Sequence, residues 1–343
     1  MKFTTPKPSL CLCLVLAVLV AFCGSCAHQD DPSGASYSNQ IDTSGTDGTE
    51  LEFKGSWSAM AVCACRAVLS AEKDQAVRNP DYLARHFVPK DFLGSMFGSE
   101  DLDGALAALK QRSPSGCFYV NARTLHIDTL FKKAVSKGVT QVVVLGAGYD
   151  SRAYRFQEAY PHVKFFEVDL PDTQKKKRKL IRHILGKSPD YVAFAPIDFN
   201  TQTLEEVMSQ AGFDEKEKTF YIWEGVTYFI TEQGVNNTLT FIADHSASGS
   251  ELVFDYMFKS VVEGDFSRFP FARGLFKMMS FHDQHYIFGI DPTRAEAFVN
   301  ERGLAVVSDI GRNEMMKRYL TQSDGTVIGK PPGFFNIIHA KVP

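Results

Sequence analysis

The feature that most constrains this chain is a change of pattern at residue 141. Gln141-Val-Val-Val-Leu145 is a short run rich in β-branched residues, and Gly146-Ala147-Gly148 follows it directly. A short apolar run closed by glycines reads as a strand buried on both faces of a parallel sheet. A helix is expected from near Ser151. At such a strand–helix turn the backbone must bend sharply and let a ligand approach, and glycine permits both because it has no Cβ. In an open α/β sheet, ligands sit beyond the carboxyl ends of the strands, where the strand order reverses. The next strand ends in Glu167-Val168-Asp169, about twenty residues on, where an acid can accept hydrogen bonds from ribose hydroxyls.

The rest of the chain agrees with this frame. Helices are predicted at 58–69, 101–112 and 119–135, ahead of the first strand at 141–145. Strands then alternate with helices: strand 163–168, helix 171–185, strand 191–195, helix 204–211, strand 219–223, helix 231–246, strand 251–256, helix 292–302, strands 304–309 and 334–340. This alternation predicts an α/β fold: a mostly parallel, doubly wound, Rossmann-like seven-stranded sheet with helices on both faces. Segment 257–290 breaks the rhythm, and its Phe, Arg and Met content predicts an inserted cap.

The glycine turn, helix and acid in register point to a nucleoside-containing cofactor. The third glycine of a dinucleotide fingerprint is missing; Ser151 or Arg152 stands near its place. That disfavours a pyrophosphate, which needs close approach at the helix N-terminus. S-adenosylmethionine carries ribose and adenine without phosphate and tolerates the change.

The segment 142–156, Val-Val-Val-Leu-Gly-Ala-Gly-Tyr-Asp-Ser-Arg-Ala-Tyr-Arg-Phe, resembles the leucine carboxyl methyltransferase family, and is closest to its bacterial branch of S-adenosylmethionine-dependent methyltransferases. Asn121-Ala-Arg-Thr124, Phe166-Glu-Val-Asp-Leu-Pro171, Glu224-Gly-Val-Thr-Tyr-Phe229 and Phe288-Gly-Ile-Asp-Pro292 agree in the family's order. The resemblance covers roughly Ser58 to Val342 and implies a class I methyltransferase fold with S-adenosyl-L-methionine as donor. It also implies roles. Arg123 would pair with the donor's carboxylate, a geometry that suits arginine. Gly146 and Gly148 would line the donor. Asp169 would hold the ribose, with Glu167 as second choice; Asp169 could also cap the helix from Pro171. Asp198 would lie near the adenine amine, and Glu224 would face the methionine amine. No catalytic base is assigned. Tyr228 and His285 are candidates only by their closeness to the cap.

The first stretch is unlike the rest. Lys2 and Lys7 precede an apolar run from Leu10 to Phe22, too short for a comfortable membrane span and suited to a signal-peptide core. Gly24-Ser25-Cys26 follows, as in a lipoprotein signal with Cys26 lipidated, although Cys23 departs from that pattern. Residues 1–26 are therefore read as a signal peptide or lipoprotein leader, which makes the protein exported or membrane-anchored; if the leader is not used, it is cytoplasmic. Residues 27–49, rich in Ser, Gly, Asp and Thr, read as a flexible tether, and 50–343 as the methyltransferase domain.

Formal net charge is −3, so no global basic field recruits nucleic acid. Lys175 to Lys179 reads as the wet face of a helix. Cys63, Cys65 and Cys117 match no disulfide framework or zinc spacing and are expected as buried small apolar residues. His282 and His285 read as loop histidines, and no metal is expected. The acceptor is expected to be a small molecule or a carboxylate. An RNA-modifying methyltransferase and a tethered non-catalytic donor-binding protein are the alternative readings.

Overall fold

The computed structural model describes residues 57–187, 189–197 and 202–343. Asp198, the leader and the tether lie outside them. The described strands are β1 (Gln141–Leu145), β2 (Lys164–Asp169), β3 (Val192–Pro196), β4 (Thr219–Trp223), β5 (Glu251–Met257), β6 (Ala305–Ile310) and β7 (Phe335–Lys341). They form one sheet in the order β3-β2-β1-β4-β5-β7-β6. The first five in that order run parallel, and β7 is antiparallel to both β5 and β6. The order reverses where β1 lies between β2 and β4, so the turns leaving β1 and β4 sit side by side at one end of the sheet.

Strand residues alternate between faces, and the core divides accordingly. Val142, Val144, Phe165, Phe220, Ile222 and Val253 join one apolar layer with Phe118, Phe131 and the N-terminal helices. Val143, Leu145, Phe166, Val168, Tyr221 and Phe254 join the other, with Val235, Leu239 and Ile242. Continuous burial of β1 and β4 is what a central parallel strand covered on both faces requires. Asp101 and Thr231 cap their helices, their side chains accepting from the amides of Gly104 and Gly234.

The structure departs from the sequence reading in several places. The helices Ala84–Phe87, Lys90–Phe97 and Arg312–Tyr319 were not apparent, and the helix after the glycine turn is one turn, Arg152–Arg155. The cap segment leaves and rejoins the sheet at one point: Phe258 bridges Ile290, and the Ile287 amide donates to the Tyr228 carbonyl at 2.9 Å. Two of the cysteines are not simply small apolar residues. Cys65, in the helix Trp57–Leu69, forms a disulfide with Cys117, in the first turn of the long helix Ser115–Ser136. The partners are 52 residues apart, and only the packing of the two helices brings them together. Cys63 remains a buried thiol that burial pushes up to about 12. Lys177 is not on the wet face: it is 1% exposed and reaches under the sheet's end.

Candidate donor-binding site

The turn after β1 is held against β2. The amides of Gly146 and Ala147 both donate to the Val168 carbonyl, at 2.8 and 3.0 Å. Gly146 has φ +66°, and a Cβ there would lie 2.4 Å from Cγ2 of Val226, in the turn after β4. Glycine is thus required both by backbone sign and by the close approach of the two switch-point turns. Asp169, at the end of β2, accepts from the Gly148 amide at 2.5 Å and from its neighbour Leu170 at 2.7 Å. Burial raises its carboxyl above the ordinary range despite these bonds. Glu167, two residues earlier on the same face, points into the protein and pairs with the Lys177 ammonium at 2.9 Å; that ammonium also donates to Ala147 O at 3.4 Å. Glu167 is thereby engaged in bracing the turn, and Asp169 is the acid left at its open rim.

Arg123 and Glu224 come together although 101 residues separate them. Arg123 Nε lies 2.9 Å from Glu224 Oε1, and its Nη1 lies 2.5 Å from Asp255 Oδ2. The second oxygen of Glu224 takes Arg152 Nη1 at 2.7 Å. Asp255 also accepts from the Gly225 amide at 2.6 Å and from the Tyr119 hydroxyl at 2.8 Å, which fixes the turn carrying Glu224.

These groups continue a longer chain of buried pairs. Arg152 reaches Asp128 at 2.6 Å and also pairs with Asp150; Asp128 takes Arg155 at 3.0 Å; Arg155 lies 3.6 Å from Asp81; and Asp81 pairs with Arg66 at 2.9 Å. Arg66 then donates to the carbonyl of Tyr149, beside the glycine turn, at 2.7 Å. In this chain four arginines face five carboxylates, an excess of one negative charge. Burial alone would raise the Glu224 carboxyl; Arg152, Arg123 and Arg66 outweigh it and hold the group down at about 2. Burial likewise opposes the charges on Arg123 and Arg152, and their carboxylate partners hold both pKa values well above the ordinary range.

Of the expected residues, Arg123, Gly146, Gly148, Asp169 and Glu224 stand around the ends of β1, β2 and β4; Asp198 follows β3 outside the described residues. Sequence reasoning missed Arg66, Asp81, Asp128, Asp150, Arg152 and Asp255. A signal existed for two of them: Arg66 and Asp255 are lone charges inside the apolar runs 57–69 and 252–257, where a charge must find a buried partner. Tyr228 lies above Glu224, its hydroxyl 3.4 Å from Arg123 Nη1. His285 does not join it: its side chain is 60% exposed, beside Asp283 and Ser280. His282 stacks on Trp57 at 4.3 Å.

A sheet of this order, with a glycine turn at its switch point and an acid ending the next strand, is that of a class I S-adenosylmethionine-dependent methyltransferase. Residues 59–243 match the family model of leucine carboxyl methyltransferases, and the chain belongs to that family. It is 31% identical over 215 residues to the Streptomyces coelicolor protein named "Putative S-adenosyl-L-methionine-dependent methyltransferase SCO7813", covering 62% of this chain and 73% of that one. It is 30% identical over 135 residues to the similarly named YktD of Bacillus subtilis, covering 39% of this chain and 44% of that one. Among solved structures, the Thermobifida fusca protein titled "putative methyltransferase" shares the fold with TM-score 0.50 at 15% identity, over 73% of this chain and 92% of that one. The chain is accordingly an enzyme whose methyl donor is S-adenosyl-L-methionine.

Proposed function

We propose that the enzyme methylates an oxygen of a small-molecule acceptor, and that this acceptor is a carboxylate. The donor supplies a methyl group on a sulfonium; the chain's residues supply alignment, which can be worth about 7–11 kcal/mol in favourable cases. Arg123, Gly146, Gly148, Asp169, Asp198 and Glu224 are the residues proposed to hold the donor. The donor carries one net positive charge, from sulfonium, ammonium and carboxylate, which matches the single excess negative charge of the buried network.

The acceptor class is supported by the family's name, leucine carboxyl methyltransferase, and the two hydroxyls beside the cap offer no base. Burial, then Asp255, holds the Tyr228 hydroxyl well above its ordinary pKa, and burial does the same to Tyr286, packed edge-on against it at 5.4 Å. Neither can take a proton near neutral pH. A carboxylate acceptor is already ionised there and needs no base, whereas a hydroxyl or amine acceptor does. The test is incubation of the protein with methyl-labelled donor and panels of carboxylic acids, phenols and amines. Methyl esters release labelled methanol in mild alkali. Alkali-stable label on phenols or amines alone would overturn the carboxylate reading.

We further propose that the leader exports the chain and that Cys26 anchors it to a membrane. The lysine–apolar–Gly-Ser-Cys pattern supports this, and so does the Cys65–Cys117 disulfide, since such bonds persist mainly in oxidising compartments. Mass spectrometry of the natural N-terminus tests it; a chain that retains Met1 excludes it.

A further inference from the structure

Arg152 opens the short helix after the glycine turn, and it is 2% exposed. Its guanidinium spans three acids from three places in the chain: Asp128 on the long helix, Asp150 in the glycine turn, and Glu224 after β4. Its Nη2 is buried and has no hydrogen-bond partner among the described residues. The two oxygens of Glu224 have separate partners, Oε1 meeting Arg123 and Oε2 meeting Arg152. A single grip would leave the carboxylate free to rotate about its last bond.

We propose that Arg152 is a positioning residue for the methionine end of the donor: it fixes the second oxygen of Glu224 so that this carboxylate meets the donor's α-ammonium. The role rests on the reading that Glu224 faces that ammonium. It follows that Arg152 acts on the amine-bearing part of the donor and not on its nucleoside. The charged groups around Glu224 are Arg123 from the long helix, Arg66 from the first helix, and Arg152 and Asp150 from the glycine turn and the helix after it; Asp255, on β5, acts through Arg123. With Arg152 neutralised, burial is opposed by fewer cations, and Glu224 takes up a proton at higher pH than in the parent protein.

The experiment measures binding of S-adenosylhomocysteine and of adenosine to the full-length protein, Arg152→Gln, Arg152→Lys and Glu224→Gln, by calorimetry between about pH 5.5 and 8. The ratio of the two affinities cancels the titration of Asp169, which both ligands meet through ribose. In Arg152→Gln the ratio should be several-fold lower than in the parent protein, and lower at the acid end of that range than at pH 8, while the parent protein's ratio stays flat. If the glutamine variant does not fold, Arg152→Lys decides. Its single ammonium cannot span Asp128 and Glu224, so S-adenosylhomocysteine should bind several-fold more weakly with adenosine unchanged. Glu224→Gln should bind S-adenosylhomocysteine weakly, with a ratio to adenosine that does not change with pH. Parent-like binding by Glu224→Gln sinks the underlying reading of Glu224. Weak binding by Glu224→Gln alongside a parent-like ratio in the Arg152 variants sinks the positioning role alone.

Discussion

Breaking the Cys65–Cys117 disulfide should cost the domain a large part of its stability, and the size can be worked from its place in the chain. The bond closes a loop across 52 residues. The chain-entropy relation for a loop of that length gives about 4 kcal/mol at room temperature. Folded domains are stable by only about 5–15 kcal/mol, so the reduced protein should be marginal. The two helices keep other contacts, since Leu69 and Phe118 remain in the same apolar layer; the loss should therefore appear as easier unfolding rather than as a different fold. With an unfolding slope of about 2–3 kcal/mol/M in urea, the midpoint should fall by about 1.5 M. The assay is urea unfolding of the oxidised protein, the protein in reductant, and Cys65→Ala/Cys117→Ala, followed by tryptophan fluorescence, with non-reducing peptide mapping to establish the bond. Superimposable curves for oxidised protein and double variant, or a map that finds both thiols free, would refute the reasoning. Donor affinity should fall in parallel, because Arg66, next to Cys65, holds the carbonyl beside the glycine turn.

Other expectations follow from single residues. Burial, with His339 and nearby cations, depresses the His126 pKa from 6.5 to about 4, and its Nδ1 meets the Tyr319 hydroxyl at 2.7 Å. The unfolded chain therefore binds the proton first as pH falls, so stability present above about pH 6.5 should drop by about 3 kcal/mol toward pH 4; urea midpoints in His126→Phe should lose this component. Gly146→Ala should destabilise by about 1–3 kcal/mol, through positive φ and the approach of Val226, and Val226→Ala should restore part of it if the contact matters; a neutral Gly146→Ala refutes the close approach. Asp169→Ala should weaken S-adenosylhomocysteine binding about tenfold or more, the worth of a charged hydrogen bond, and unchanged calorimetric affinity removes its ribose role. Arg123→Lys keeps the charge but loses the fork that spans Glu224 and Asp255, so it should weaken binding of S-adenosylhomocysteine more than that of adenosine; equal losses refute a role at the donor's carboxylate.

Much of the fold was legible because it is periodic. β1 and β4 have the boundaries expected from their apolar runs, and the helix Pro171–Leu185 begins at its proline, a favoured first helical residue. Short elements were lost because a single turn such as Ala84–Phe87 carries no period to detect. Lys177 was misplaced for a related reason. Five consecutive basic residues look like one solvated surface, yet a helix turns 100° per residue, and one of the five must swing inward, where it meets Glu167. The disulfide was hidden because spacing along the chain contains nothing about which faces of two helices meet. The site was legible at its local parts, the glycine turn and the acid after it. The rest depends on contacts between residues as far apart as Arg123 and Asp255, 132 positions along the chain.

The buried arginine–carboxylate chain is hard to explain as a source of stability. Each ion loses several kcal/mol of hydration on burial, and replacing such groups by packed apolar residues is often neutral or stabilising. The same chain is costly to break one member at a time, because each loss strands its partner. Most of its members come from the first helix, the long helix, the glycine turn with the short helix after it, the turn after β4, and β5, elements that meet around the ends of β1 and β4. An apolar core would hold these elements together without fixing the angle of any polar group among them. Paired charges fix those angles before the donor arrives, and fixed dipoles need no reorganisation when a charged ligand binds. On this reasoning stability is given up for preorganisation. Substitutions along the chain should then impair binding of S-adenosylhomocysteine more than binding of adenosine, even where the domain still folds.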